Sequence, residues 1–417
     1  MTSGHAQSAV GEREPLPVAV WLLLATSFLT SFATVGQITI LGKQVFDMTG
    51  RELDLGLLGL AEFVPLALAA PFTGALADRF DRRRIFVLGV AGEVATSVGL
   101  FAYVSTNPSR VTPIFGLVVV YGFARSLASP AVRALAIDVA PPDQIERVIA
   151  LRSVAFQAGG ILGPVAAGFL FVADIAAPYL VSATLYLLAA ALISSIASLP
   201  TRKLATRGGR QALRDALDGL RFIRRQPVIF GAISLDLFAV LLGGIIALLP
   251  AIAEERLGVG AVGLGGLRAA VSAGAATMAI VLSFRPLRRR VGKTLLGVIG
   301  LFGILHLLLA FTTAYAIACV LFFCAAALDA VSVFIRATLI PLATPEDMRG
   351  RVLAVENVFI GASNEMGAVE SGVTAAVFGL VGAMVFGSIG TLVVVGLWWR
   401  LFPALRDVDR FDEVRAS

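Results

Sequence analysis

Apolar runs of about 20 residues or longer recur from one end of the chain to the other. A helix rises about 1.5 Å per residue, so such a run is long enough to cross roughly 30 Å of hydrocarbon. A soluble protein is usually about one quarter charged, whereas this chain of 417 residues is 58% hydrophobic and only 15% charged. The sequence therefore predicts an all-α membrane protein.

Hydropathy divides the chain into twelve predicted membrane spans. The first six lie near residues 17–41, 55–77, 85–105, 112–138, 148–173 and 177–199. The second six lie near residues 228–252, 263–284, 294–314, 316–342, 353–380 and 382–402. The predicted organisation is therefore an N-terminal six-helix bundle in 1–199, a linker in 200–227, and a C-terminal six-helix bundle with a short tail in 228–417.

Lysine and arginine residues are concentrated in the loops on one side of these spans. That side holds clusters in 79–84, 285–293 and 349–351 and the polar linker, whereas the opposite side offers Lys43, Arg51, Arg110 and Arg256. Cytoplasmic loops carry the excess of positive charge in membrane proteins. Both termini and the linker are therefore predicted to be cytoplasmic, in a multi-pass protein of the cell (inner or plasma) membrane.

The polar linker contains one helical pattern. Leu213, Leu217 and Leu220 follow helical spacing, and arginines occupy much of the remaining surface. This pattern predicts an amphipathic helix that lies on the inner leaflet.

The two halves of the chain resemble each other. The segment Arg133-Ala-Leu-Ala-Ile-Asp-Val-Ala-Pro-Pro-Asp143 parallels Arg336-Ala-Thr-Leu-Ile-Pro-Leu-Ala-Thr-Pro-Glu-Asp347, so span 4 matches span 10. A parallel repeat of six spans places the substrate path between the two halves.

Ionisable residues inside the predicted spans are the main candidates for function. At mid-bilayer a charged side chain costs at least about 2.5–3.5 kcal/mol on insertion scales, so its presence indicates a role. Burial away from water favours the protonated form of a carboxyl group, which can then load and release a proton near neutral pH. The candidates for the substrate and proton pathway are Glu62, Arg125, Asp236, Asp329, Glu365 and Glu370, with Glu93, Arg268 and His306 second.

Glu62 and Asp329 are the first choices for proton carriers, and Arg125 is the predicted counter-charge. A structural interpretation stays open for each residue, because an acid that pairs permanently with an arginine only locks two helices together.

The loop after span 2 reads Gly74-Ala-Leu-Ala-Asp78-Arg79-Phe-Asp81-Arg82-Arg-Arg. It resembles the signature loop of the major facilitator superfamily, Gly-x-Leu-Ala-Asp-Arg-x-Gly-Arg-Arg/Lys, and departs from it at Asp81. The resemblance implies the major facilitator fold. It also implies a cytoplasmic latch in which Asp78 lies against the N-terminal end of the eleventh helix, where the helix dipole favours negative charge. The latch residues are Gly74, Asp78, Arg79, Arg82 and Arg133.

Span 5 contains Gly159-Gly-Ile-Leu-Gly163-Pro164-Val-Ala-Ala-Gly168. It resembles the Gly-x-x-x-Gly-Pro-x-x-Gly-Gly motif of the exporter (antiporter) branches of the superfamily, with Ala167 in place of one glycine. Small residues allow close helix contact, and a proline bends a helix because it lacks a backbone donor. The alternative is an ordinary Gly-x-x-x-Gly packing motif.

Three further features resemble superfamily members. Arg125 is similar to the arginine of a third motif implicated in proton-coupled exporters, although the glutamine and glycine that follow it there are absent here. The run from Asp236 and the loop that ends Arg-Gly-Arg351-Val resemble the enterobactin-exporter and macrolide-efflux branch.

These resemblances imply a proton-coupled exporter of small hydrophobic or amphipathic compounds (a drug, siderophore or similar, hence a multidrug or efflux antiporter) that works by alternating access. The alternative is an importer or facilitator of a metabolite or lipid with the same fold. A membrane enzyme or sensor is disfavoured, because the chain has only His5 and His306 and shows no soluble output domain. The expected partners of this monomer are a small-molecule substrate, protons and the lipid bilayer.

No cofactor, metal or nucleic acid is expected. The net charge of +6 comes from basic residues in short segments between apolar runs. That distribution orients a membrane protein rather than building a phosphate-binding face.

Overall fold

The computed structural model describes residues 15–196 and 209–414 and is helical throughout its regular elements. The first six helices are α1 Val18–Thr49, α2 Glu52–Arg79, α3 Arg82–Val104, α4 Thr112–Val139, α5 Ile145–Ala173 and α6 Ala177–Ser194. The next six are α7 Gly209–Arg225, α8 Pro227–Leu242, α9 Ala261–Phe284, α10 Val291–Phe311, α11 Tyr315–Leu342 and α12 Glu346–Leu401.

The described helices provide the twelve predicted membrane crossings. Ten stretches are long and apolar enough to cross a membrane, one of them Pro227–Arg256, in which short 3₁₀ and π-helical turns extend α8. Helix α2 adds 28 residues, and α12, counted once among the ten, has 56 residues, enough for two crossings. The all-α, twelve-span fold expected from the sequence is confirmed.

Helix α12 reverses direction at Gly379, where φ is 74° and ψ is 166°. This conformation is essentially restricted to glycine, because any side chain would strain it. Before the break, Gly367 lies against Val240 and Leu241 of α8, and after it Gly387 lies against the carbonyl of Leu242. Since both limbs pass the same point of α8, they lie side by side as the eleventh and twelfth crossings.

Helix α1 is longer than the sequence pattern predicts. The predicted end near residue 41 was wrong, since the helix continues to Thr49 and ends at Gly50, whose left-handed backbone donates to the Phe46 carbonyl at 2.7 Å. Lys43, predicted for an external loop, lies inside this last stretch with only 6% of its surface exposed. Its ion pairs, described below, account for its tolerance of burial.

The helices pack in two groups. In the N-terminal group (α1–α6), α1 packs on α5 and α6, and α3 packs on α4 and α6. In the C-terminal group (α8–α12), α12 packs on α8 and α10, and α9 packs on α11. The groups meet along α2 with α12 and along α5 with α9. We call the end with the α2–α3 loop the arginine-rich end, and the end with the α1–α2 loop the arginine-poor end.

Helix α7 packs against the C-terminal group at the arginine-rich end. Ile223 is 1% exposed and belongs to a cluster with Val352 and Val355 of α12. The Asp215 carboxylate lies 3.1 Å from Arg351 Nε. Of the leucines that predicted this helix, Leu220 joins the same cluster and Leu217 is exposed, whereas the Leu213 side chain lies outside the described residues. The apolar face of α7 therefore covers the base of α12.

Candidate functional site

A cavity of about 580 Å³ lies between the two helix groups. Its walls come from α1, α2 and α4 on one side and from α8 to α12 on the other. Cavities of this size hold drug-sized ligands in other proteins. Its charged lining side chains are Glu62, Arg125, Arg268, Asp329 and Glu365.

On the N-terminal wall, Arg125 of α4 is bound to Glu62 of α2. The Arg125 Nη1 group donates a hydrogen bond to Glu62 Oε1. Gly122, one turn before Arg125, lies so close to the Glu62 carbonyl that a Cβ would collide with it. The missing side chain at Gly122 therefore lets α2 and α4 approach closely enough for this ion pair.

A buried polar network supports the N-terminal wall from behind. The Tyr121 and Tyr186 hydroxyls are 3.0 Å apart, and Thr34 Oγ1 is 2.8 Å from the Tyr186 hydroxyl. Glu93 is 4% exposed and within electrostatic range of Arg125 and Glu62, although it does not line the cavity. The hydroxyl groups of this network hold one another in place, and both tyrosines lie within electrostatic range of Arg125.

The C-terminal wall combines aromatic rings with acidic and amide groups. The His306 ring centroid lies 4.0 Å from that of Phe302 and 6.4 Å from that of Phe322, and all three rings line the cavity. Asp329 of α11 and Asn364 and Glu365 of α12 complete the polar part of this wall. Asp329 is exposed to the cavity.

Charges of the two groups meet at the α2–α12 contact. A Cβ at Gly59 of α2 would lie only 2.7 Å from Glu365 Oε2, so the carboxylate of α12 is pressed against the opposite group. Glu365 is within electrostatic range of Glu62 and Arg125, and Arg268 of α9 is within range of Glu62. Glu62 therefore interacts with charges on both sides of the interface.

Two of the predicted pathway acids lie outside this cavity. Asp236 of α8 binds Arg336 of α11 at 2.7 Å, and the two side chains are 8% and 6% exposed. It shares only a small neighbouring pocket with Asp329. Glu370 of α12 accepts a hydrogen bond from Thr374 Oγ1 at 2.7 Å. The Asp236–Arg336 pair, which joins two helices, corresponds to the structural interpretation that the sequence left open, whereas the Glu370–Thr374 bond lies within one helix.

At the arginine-poor end the two helix groups make close backbone contacts at glycine residues. A Cβ at Gly56 would lie 2.6 Å from the Ala368 carbonyl oxygen of α12. Across the α5–α9 contact, a Cβ at Gly168 would lie 2.5 Å from the Ala261 carbonyl oxygen, and one at Gly265 would collide with the Pro164 carbonyl oxygen. The span 5 motif therefore splits its contacts: Gly159 and Gly163 face α1, whereas Pro164 and Gly168 face α9.

An ion pair that sequence reasoning missed also joins the groups at this end. Lys43 Nζ of α1 lies 3.1 Å from Glu254 Oε2, in the π-helical turn Ile252–Arg256 that follows α8, and 2.5 Å from Asp47 Oδ1 on its own helix. The four-residue spacing of Lys43 and Asp47 is the one sequence signal that could have placed Lys43 on a helix.

Residues 20–368 match the model of the Major Facilitator Superfamily. The chain belongs to this superfamily of transporters. The transporter YfiS of Bacillus subtilis is 27% identical over 217 residues, which cover 50% of this chain and 49% of that protein. The quinolone resistance protein NorA of Staphylococcus aureus is 27% identical over 198 residues, 48% of this chain and 49% of that protein. The chain thus spans about half the length of these relatives.

Solved structures show the same fold. A bacterial homologue of the human lysosomal transporter Spinster, in an inward-facing and unoccupied conformation, has a TM-score of 0.75 at 17% identity, covering 98% of this chain and all of that one. A POT family transporter in complex with 5-aminolevulinic acid has a TM-score of 0.73 at 12% identity, covering 93% and 97%. At these identities the likeness concerns the superfamily fold alone.

The superfamily loop after α2 is partly described. Asp81, where the family pattern has glycine, caps α3 by accepting a 2.9 Å hydrogen bond from the Arg83 backbone N–H. Arg82 Nη1 donates to both carboxylate oxygens of Asp138 at 2.7 Å, which ties α3 to the end of α4. Arg133 is exposed and contacts Ser129. The side chains of Gly74, Asp78 and Arg79 lie outside the described residues.

Proposed function

We propose that this protein is a proton-coupled exporter of small hydrophobic or amphipathic compounds, working by alternating access. The observation that carries the proposal is the acid-lined cavity between the two helix groups. The cavity offers space for a ligand. It is lined by the carboxyl groups of Glu62, Asp329 and Glu365, which can take up and release protons there. The likeness to the quinolone resistance protein NorA, which extends over about half of that protein's length, supports export.

The arginine-rich end is proposed to face the cytoplasm, as the positive charges of its loops require. The glycine contacts and the Lys43–Glu254 ion pair would then close the external side, and we propose that this state faces inward. The Spinster homologue with a similar fold is inward-facing as well. Transport would rock the N-terminal group against the C-terminal group and open these external contacts.

Glu62 and Asp329 are proposed to carry protons, because each lines the cavity from a different helix group. In this structure Glu62 is bound to Arg125 at the cavity wall. Protonation of Glu62 would release Arg125 and weaken the attraction to Arg268 across the interface. Proton uptake is thereby linked to the contact between the groups, with Arg125 as the counter-charge.

Asp78 and its loop are proposed to latch the cytoplasmic side in the outward-open state, with Arg82 and Asp138 as the fixed base of that latch. The support is the rigid connection of α3 to α4 through the Arg82–Asp138 bond, from which the loop extends. Pro164 and Gly168 are proposed to form the export-type hinge, since they face α9 where the external side closes.

The test is proton movement in liposomes that contain the purified protein and a trapped pH dye. A panel of hydrophobic drugs and siderophores should trigger proton flux in the wild type, and Glu62→Gln or Asp329→Asn should abolish it. Glu370→Gln is the matched control: it removes an acid of α12 that lies outside the cavity, so flux should persist.

The importer or facilitator alternative is measured in the same liposomes. Accumulation of a metabolite or lysophospholipid without a proton gradient, together with no substrate-triggered flux from any panel member, would reject proton-coupled export and leave only the fold.

A further inference from the structure

We propose that the C-terminal wall of the cavity is a subsite for organic cations that carry aromatic rings, with Asp329 binding the charge and Phe302 and His306 contacting the rings. The proposal rests on the proposed transport function and names the substrate class of its cavity. It is carried by the chemical difference between the two walls.

The charges on the N-terminal wall are already satisfied. Arg125 and Glu62 neutralise each other directly, and both side chains are largely buried, with 32% and 17% of their surfaces exposed. A ligand charge at this wall would have to break that pair. The N-terminal wall therefore offers a ligand little net electrostatic attraction.

The acids of the C-terminal wall have no such partner. Among residues 15–196 and 209–414, neither Asp329 nor Glu365 has an arginine or lysine within ion-pair distance, and Arg336, the cation within range of Asp329, is bound to Asp236 instead. The charged lining totals three carboxylates against two guanidiniums, Arg125 and Arg268. The lining thus has one carboxyl group more than it has guanidiniums, and the carboxyl groups without an ion-pair partner lie on the C-terminal wall.

The aromatic rings stand beside the free carboxylate. Phe302 and Asp329 together line both the main cavity and the small pocket next to it, so they are neighbours. Ring faces attract cations electrostatically, and the attraction strengthens when the cation is removed from water. A carboxylate next to ring faces therefore favours a cation with apolar substituents over an anion or a sugar.

His306 independently indicates a ligand at this wall. It is 3% exposed, lines the cavity, and makes no hydrogen bond or ion pair within the described part of the chain. A buried polar ring is ordinarily hydrogen-bonded. Its contacts are the rings of Phe302 and Phe322, which leaves its polar edge available to an occupant of the cavity.

Three probes of similar shape separate charge from hydrophobicity: tetraphenylphosphonium (cation), triphenylphosphine oxide (neutral) and tetraphenylborate (anion). Equilibrium binding to the purified protein in detergent, without any ion gradient, should favour the cation over the neutral probe by at least about tenfold. Asp329→Asn should remove that preference, Asp329→Glu should keep it, and Phe302→Leu should weaken all ring-bearing probes severalfold. Glu370→Gln should change nothing.

Two results would overturn the proposal: equal binding of the cation and the neutral probe, or preferred binding of tetraphenylborate that is lost in Arg268→Gln. Because no gradient is used, the result is independent of transport. Cation binding without proton flux in liposomes would reject proton coupling but keep the subsite. Proton flux triggered by neutral compounds alone would support proton coupling but reject the subsite.

Discussion

The Lys43 ammonium of α1 lies 3.1 Å from the Glu254 carboxylate, which belongs to the other helix group, while Asp47 on the same helix binds it at 2.5 Å. Lys43 therefore keeps one partner when the groups separate and gains a second when they close. This arrangement lowers the cost of opening, because the buried ammonium is never left without a counter-charge.

Glu254→Gln is expected to shift the protein toward states that are open at the arginine-poor end. Since Glu254 is half exposed, its salt bridge is worth at most about 1 kcal/mol, which changes the ratio of closed to open molecules by up to about fivefold. The measurement is the distance between spin labels at Ser109 and Thr313, in the α3–α4 and α10–α11 loops, with Cys319 and Cys324 replaced by serine. Glu255→Gln, the adjacent exposed acid outside the ion pair, should leave the distances unchanged; an equal shift in both variants would contradict the assignment.

Gly265→Ala is expected to weaken closure at the same end. The added Cβ would collide with the carbonyl oxygen of Pro164 in the opposite group, so α5 and α9 must move apart. The same spin-label pair should show longer distances, and transport should slow. Gly116→Ala is the control, because nothing lies within 4 Å of a Cβ there. Unchanged distances in Gly265→Ala would show that this contact does not control closure.

Gly379→Ala is expected to destabilise the protein by about 1–3 kcal/mol through backbone strain alone. No atom lies within 4 Å of a Cβ at Gly379, so packing cannot account for a loss. Thermal unfolding in detergent measures the effect. Gly297→Ala, in the helical interior of α10 with equally open surroundings, should instead be neutral or stabilising by up to about 1 kcal/mol. Equal stability of the two variants would mean that the reversal tolerates a side chain.

The C-terminal tail is expected to detach from α10 in acid. The Arg290 backbone N–H and the Arg289 side chain donate to the Asp409 carboxylate and hold its pKa below the ordinary value. A lowered pKa contributes stability that is present above the unfolded value, about 3.9, and is lost as the pH falls through the folded pKa. The protection factors of the Val291 and Gly292 amides, which donate to the tail carbonyls of Asp409 and Val408, should therefore fall below about pH 4 once the intrinsic exchange rate at each pH is taken into account.

Asp409→Asn should give fast exchange at those two amides at neutral pH as well. Asp412→Asn is the control, since Asp412 binds only its neighbour Arg410 at 3.0 Å among the contacts described. Protection that persists in Asp409→Asn would show that backbone hydrogen bonds alone hold the tail.

The crossings and much of the cavity could be predicted from the sequence because both depend on local composition. An ionisable residue inside an apolar run must face the protein interior, and Glu62, Arg125, Asp329 and Glu365 do line the cavity. Asp236 and Glu370 also lie in apolar runs, but they bind Arg336 and Thr374 instead of lining the cavity. Hydropathy cannot separate these two outcomes, because they depend on which helices are neighbours.

The internal repeat shows the same limit. Arg133 and Arg336 occupy matching positions in the two halves, yet Arg336 is 5% exposed and bound to Asp236, whereas Arg133 is exposed. Asp138, which anchors Arg82, is matched by Pro341 in the second half. Equivalent positions therefore keep their place in the fold, although the residues that they bind differ. The Lys43–Glu254 pair joins the two halves, so the sequence repeat gives no sign of it.

The reversal at Gly379 also bears on how the chain is made. From 371 to 399 the sequence contains no charged residue, and the two limbs of α12 turn about a single residue rather than a polar loop. The tip of this hairpin can cross the bilayer during synthesis without carrying a charge through the hydrocarbon. The eleventh and twelfth crossings are therefore suited to enter the membrane together, as one unit, when the rest of the protein is already in place.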